Sequence, residues 1–99
     1  MIQIECEWDA VKVDGHAGYA PIGQDIVCAA VSTLTETLIG ALEELTENRI
    51  TVEEGPGFSH IRFKDDPDHD AVILLDAFQI GAEAIAGLYP EYVQVKKDD

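Results

Sequence analysis

Basic residues are scarce in this 99-residue chain: six Lys and Arg stand against 20 Asp and Glu, for a formal charge of −14. Affinity for RNA or DNA rests on Lys and Arg neutralising phosphate, so the deficit argues against direct nucleic-acid binding. Cysteine is nearly absent as well. Its two copies allow one disulfide at most, and free thiols in a reducing compartment are the expectation. No run approaches the ~18 consecutive apolar residues of a membrane span. The opening MIQIECEWDA lacks the basic start and apolar core of a signal peptide. A cytoplasmic protein away from membranes follows as the expectation. Two distant cysteines and three scattered histidines make no recognisable zinc set. The acidic run DDPDHD at 65–70 lacks the spacing and closing glutamate of an EF-hand loop. No metal or cofactor is expected.

The length gives one domain, 1–99, with a modest core. A deep enclosed site does not fit in such a chain. A shallow site, or one completed by a second subunit or by substrate, does. The acid surplus favours and steers a basic partner, although solubility or adaptation to salt gives the same composition. There is no internal repeat, low-complexity segment or linker.

Hydropathy period divides the chain. Residues 1–7 alternate, with Ile2, Ile4 and Cys6 on one face, and 10–14 alternate again through Val11 and Val13. Trp8 and Asp9 supply a turn, so the two runs form a hairpin. Over 25–47 the period becomes helical through Val27, Val31, Leu34, Leu38, Leu42 and Leu45, with Gln24 or Asp25 as cap and Asn48 near the end. A second hairpin follows from 50–53 and 58–64 around the turn at 54–57. The polar loop 65–70 ends on Asp70, the expected cap of a second helix over 71–88 with Val72, Leu75, Phe78, Ala82 and Ile85 on its stripe. Tyr92, Val93 and Val95 form a last strand before a frayed tail at 96–99. The fold class is α+β: a small mixed sheet in β-β-α-β-β-α-β order with two helices packed on one face.

Chemistry concentrates in GHAGYAPIGQDIVCAAVS, residues 15–32. His16 ends the first hairpin, Gly18, Pro21 and Gly23 make a flexible loop, and Cys28 lies in the first turn of the helix. A thiol at a helix start is drawn toward the thiolate by unpaired N–H groups. A nearby imidazole favours it further and shuttles the proton. Asp25, Cys28 and Ser32 stand at i, i+3 and i+7, on a face separate from the stripe through Leu34 and Leu38. Each residue has a plain alternative. Cys28 would otherwise be a small core hydrophobe. Asp25 is a helix cap, an orienter of His16, or a contact for a basic substrate residue. Ser32 hydrogen-bonds the thiolate or the carbonyl four residues back. Backbone N–H groups over 24–28 are the natural oxyanion donors. Cys6 reads as core, and His60 and His69 stand outside the motif.

The same stretch resembles the signature of the ribosomal-processing cysteine proteases (Prp). Gly15-His16-Ala17 is followed by a short loop, then Gly23-Gln24-Asp25-Ile26-Val27-Cys28-Ala29 running into Val31-Ser32, with twelve positions from His16 to Cys28. The resemblance runs through the whole chain, including Leu88-Tyr89-Pro90. It implies a cysteine endopeptidase with Cys28 as nucleophile and His16 as base, supported by Asp25, Ser32, Gly15 and Gly23. It implies a substrate as well: the short N-terminal extension of a large-subunit ribosomal protein precursor, number twenty-seven, or a phage structural protein in some relatives. A homodimer, a loop that moves to admit an extended peptide, and aromatic residues before the cut are further implications. Two other readings use the same residues. One is a module of the same fold that holds a peptide or ribosomal protein without cutting it, and the other is a redox-sensing thiol.

Overall fold

A computed structural model describes residues 1–21 and 23–97. Strands β1 (Ile2–Glu7) and β2 (Ala10–Asp14) form the first antiparallel hairpin, with Ile4 opposite Val13 and Cys6 opposite Val11. Helix α1 (Ile26–Leu45) leads to the second hairpin, β3 (Ile50–Gly55) and β4 (Phe58–Phe63). Helix α2 (His69–Leu88) leads to β5 (Val93–Lys97). The expected element order is found. The sheet runs β3-β4-β2-β1-β5, with β4 antiparallel to β2 and β5 parallel to β1, so it is mixed as expected.

One face of the sheet is covered. Ile4, Val11, Ile61 and Val93 point to it and are almost wholly buried, against Val27, Val31, Leu38 and Leu42 of α1 and Phe78 and Ala82 of α2. Burial of the strand residues at alternate positions follows from the two-residue side-chain period. The other face stays polar: Glu5, Lys12, His60 and Glu53 stand side by side across four strands. Both helices are 20 residues long and apolar enough on average to cross a bilayer, a property that a count of unbroken apolar runs does not register. Here they are the core helices, packed on the sheet and on each other.

The element ends depart from expectation in instructive ways. Helix α1 stops at Leu45, earlier than expected, because Thr46 turns extended and its hydroxyl donates to the Leu42 carbonyl at 2.7 Å. Leu45 is therefore 66% exposed instead of joining the stripe, while Thr35 enters it with its hydroxyl satisfied by the Val31 carbonyl at 2.8 Å. Asn48 does not cap α1. Its side chain clips the 46–48 corner to the acidic loop, donating to Asp65 and to the Asp66 carbonyl and accepting from the Asp68 N–H. Asp68, not Asp70, caps α2, accepting from the Ala71 N–H at 2.8 Å. Asp70 falls in the first turn, where negative charge still favours a helix start. The earlier start buries Ala71 and leaves Val72 43% exposed. Lys96 and Lys97 belong to β5, paired with Glu5 and Cys6, while the rest of the expected tail lies outside the described residues.

Candidate active site

The site is built where β2 ends. Gly15 follows with a φ of +103°, and a Cβ there would overlap the Met1 carbonyl oxygen, so only glycine fits. Its N–H donates to the Gly57 carbonyl at 2.7 Å, and the Met1 amine donates to the His16 carbonyl at 2.7 Å. His16 is thereby held between the start of β1 and the β3–β4 turn. Its ring lies against Gly57: a Cβ on that residue would fall 2.9 Å from His16 Nε2, and Gly57 also has a φ of +79°. The histidine itself is exposed.

The next residue turns inward. Ala17 is 4% exposed and joins the core, and its N–H donates to Cys28 Sγ at 3.4 Å. Cys28 is half-buried. The backbone beside His16 therefore touches the sulfur directly.

Asp25 is the fastener of this region. One carboxylate oxygen accepts from the Val27 and Cys28 N–H groups at 3.0 and 2.9 Å, and the other from those of Tyr19 and Ala20 at 3.0 and 3.3 Å. Its carboxyl is held below the usual carboxylate range, first by the Cys28 N–H, against an opposing effect of burial, with the Ala20, Tyr19 and Val27 N–H groups adding to the lowering. The cap reading of Asp25 holds, and its four bonds go to backbone, not to His16. Of the five N–H groups over 24–28 expected as oxyanion donors, three are engaged elsewhere. Val27 and Cys28 are taken by Asp25, and Gln24 donates to the Pro21 carbonyl at 2.9 Å. The loop is also braced from outside, since the Tyr19 ring sits edge-on to Tyr89 and Tyr92 at 5.6 and 5.2 Å.

Two cavities meet at this point, and His16, Cys28 and Ser32 border both. The larger, about 740 Å³, runs along the loop past Gly18, Pro21 and Gly23 to Asp25 and Ile26. The smaller, about 280 Å³, runs between α1 and the β3–β4 turn, past Glu36, Glu54, Gly57 and Ser59. Ser32 lines both, yet neither hydrogen bond expected of it forms among the described residues. Glu36, Glu54 and Gly57 carry no motif in the sequence. Glu36 reaches the site along the α1 face that carries Cys28 and Ser32, while Glu54 and Gly57 reach it because β4 pairs with β2, which brings the β3–β4 turn to His16.

The remaining candidates fall elsewhere. His60 Nε2 meets Asp14 Oδ1 at 2.7 Å on the polar face of the sheet, and His69 begins α2. Asp65 and Asp68 of the acidic run are engaged by Asn48, Arg49 and the α2 cap. Cys6 faces the core and borders a separate cavity of about 430 Å³ with Trp8, Pro67, Val72 and Leu75. Burial pushes its thiol up to about 11, with the Glu83 charge adding to the shift and Lys97 opposing it.

Known proteins share this fold. The sequence model of the family described as Cysteine protease Prp matches residues 1–94. The Ribosomal processing cysteine protease Prp of Staphylococcus aureus is 31% identical over 87 residues, covering 86% of this chain and 82% of that protein. The protein of the same description from Mycoplasma genitalium is 27% identical over 99 residues, covering 99% and 97%. A crystal structure of the S. aureus protease with a covalently linked product peptide superposes with a TM-score of 0.93 at 26% identity, over 99% of this chain and all (100%) of that one. A second, with a substrate peptide, gives 0.86 at 25% identity over the same shares, 99% and 100%.

Proposed function

The chain belongs to the Prp family of cysteine proteases, and from that membership we propose that it removes the short N-terminal extension of a large-subunit ribosomal protein precursor, number twenty-seven, with Cys28 as nucleophile and His16 as base. The observation that carries the assignment is the Ala17 N–H on Cys28 Sγ at 3.4 Å, with His16 the adjoining residue on the same two cavities. The charge of −14 suits a basic precursor. Relatives described as ribosomal processing proteases support the substrate class.

In the proposed reaction His16 takes the Cys28 proton and the thiolate attacks the scissile carbonyl carbon. The carbonyl electron pair moves onto oxygen. The Ala17 N–H, directed at the sulfur before attack, is the described donor beside the bond that forms, and it turns to the oxyanion. When the tetrahedral intermediate collapses, the C–N bond breaks and the imidazolium gives its proton to the leaving amine. Water, deprotonated by His16, then cleaves the thioester and restores the thiol. Asp25 holds both walls in place: the loop through Tyr19 and Ala20, and the helix through Val27 and Cys28. The reading includes action in the cytoplasm as a homodimer.

The test is incubation with the full-length precursor, followed by sequencing of the new N-terminus. One new terminus is expected, lost in both Cys28→Ala and His16→Ala. An intact precursor that co-elutes with the protein would instead establish a non-cutting binding module.

A further inference from the structure

A cut peptide cannot stop at the sulfur. Its scissile carbonyl lies at Cys28 Sγ and the chain continues in both directions, so both cavities that meet there are needed. The loop-side cavity takes one arm. The other arm enters the cavity of about 280 Å³ along Ser32, Glu36, Glu54 and Ser59. This step rests on the proposed cleavage at Cys28.

The second cavity has an unbalanced charge. Glu36 from α1 and Glu54 from β3 both border it, and both are exposed. The Glu36 carboxyl is held above its ordinary value, first by hydrogen bonding with Glu54, then by burial and by the Glu54 charge. Ser59 Oγ donates to Glu54 Oε2 at 2.9 Å and fixes that side. No Lys or Arg borders the cavity among the described residues. Lys12, Arg49 and Lys97 are committed to Glu7, Asp65 and Glu83 elsewhere. Among the described residues neither Glu36 nor Glu54 has a salt-bridge partner, and both border the cavity that this arm enters.

We propose that Glu36 and Glu54 form a subsite for a Lys or Arg side chain of the cleaved peptide, a few residues from the scissile bond. Spacing sets the position. Cys28, Ser32 and Glu36 succeed one another at four-residue steps along one helix face, about 6 Å per step. Glu36 therefore lies about 12 Å from the nucleophile's backbone, a distance that an extended peptide covers in roughly three to four residues. An ammonium or guanidinium there takes both carboxylates as acceptors.

The experiment is a positional scan on peptides sharing one cut site. Lys, Arg, Gln and Glu are placed in turn at five positions on each side, and kcat/KM is read for each. The quantity is the ratio of the Lys peptide to the Gln peptide within each protein. In the unaltered protein this ratio should reach about three- to tenfold at one position on one side, as expected for partly exposed charge pairs. It should fall to about one in the double variant Glu36→Gln/Glu54→Gln and invert toward the Glu peptide in Glu36→Lys. A ratio near one at every position in the unaltered protein overturns the subsite while leaving the protease reading intact. So does a ratio that survives the double variant. Binding of the same peptides to Cys28→Ala, followed by fluorescence anisotropy, gives a readout independent of cutting. A Lys preference lost in the Gln variants, without cleavage by the unaltered protein, keeps the subsite and sinks the protease reading.

Discussion

Cys6 and Cys28 invite comparison, since each is a free thiol bordering a cavity. Cys6 lies in the middle of a sheet, at an inward position between Val11 and Lys97 of the neighbouring strands. Burial there keeps its proton on, with a pKa pushed up to about 11. Cys28 stands where a helix begins, half-exposed, with a backbone N–H aimed at its sulfur and an exposed histidine one residue beyond that donor. The residue type is the same and the neighbours are opposite. On the proposed reading, with Cys28 as nucleophile, chemistry follows the donors around a sulfur, not the presence of the sulfur or the size of the cavity beside it.

The comparison breaks most readily on activity. Cys28→Ala should lower kcat/KM on a peptide containing the cut by about 10⁴-fold or more, the scale seen when a nucleophile is removed. Cys6→Ala should leave it within about twofold, as for a change away from the reacting atoms. Comparable losses in both would erase the distinction. Alkylation sharpens it next. At pH 8 iodoacetamide should add one equivalent, at Cys28, because a thiol with a pKa of about 11 is ionised only on the order of one part in 10³ at that pH. Cys6 labelling in the folded protein should rise with pH toward that value, as peptide mapping would show.

Smaller effects test the frame around each sulfur. Asp25→Ala releases the loop and the helix start together. A fall in kcat/KM on the order of 10²-fold is expected, the cost of about 1 Å of misplacement, and circular dichroism should still show a folded chain. Retained activity would mean that the four backbone bonds to Asp25 do not position the site. Cys6→Ser puts a hydroxyl on the apolar sheet face and should cost about 1–3 kcal/mol in a urea melt, with little change in cleavage rate.

The two regions also differ in how far the sequence displays them. Alternation through Ile2, Ile4, Val11 and Val13 is enough to place the first hairpin, because a buried face repeats every second residue. His16 and Cys28 stand out because a strand end and a helix start flank a short glycine-rich loop. The acidic run was ambiguous: any of several aspartates can cap a helix, and Asp68 was selected by the clip from Asn48, a contact across twenty positions. Asp25 is legible as a cap but not as a loop fastener, and two of the donors assigned to an oxyanion, the Val27 and Cys28 N–H groups, are occupied by it. Gly57 and Glu54 left no local trace. Their place depends on β4 pairing with β2, and non-local pairing has no signature in residue spacing; Glu36 follows Cys28 and Ser32 at four-residue steps, but that spacing does not show that the β3–β4 turn faces it.

One consequence belongs to Tyr19. Its ring leans on Tyr89 and Tyr92, so the wall of the loop-side cavity is buttressed by the corner where α2 hands over to β5. Local fraying of that corner would slacken the wall before it disturbed the helix that bears the sulfur. Catalytic competence is then the first property lost when the molecule loosens and the last regained as it anneals. Amide exchange at residues 19 and 20 should track fluctuations some seventy positions away.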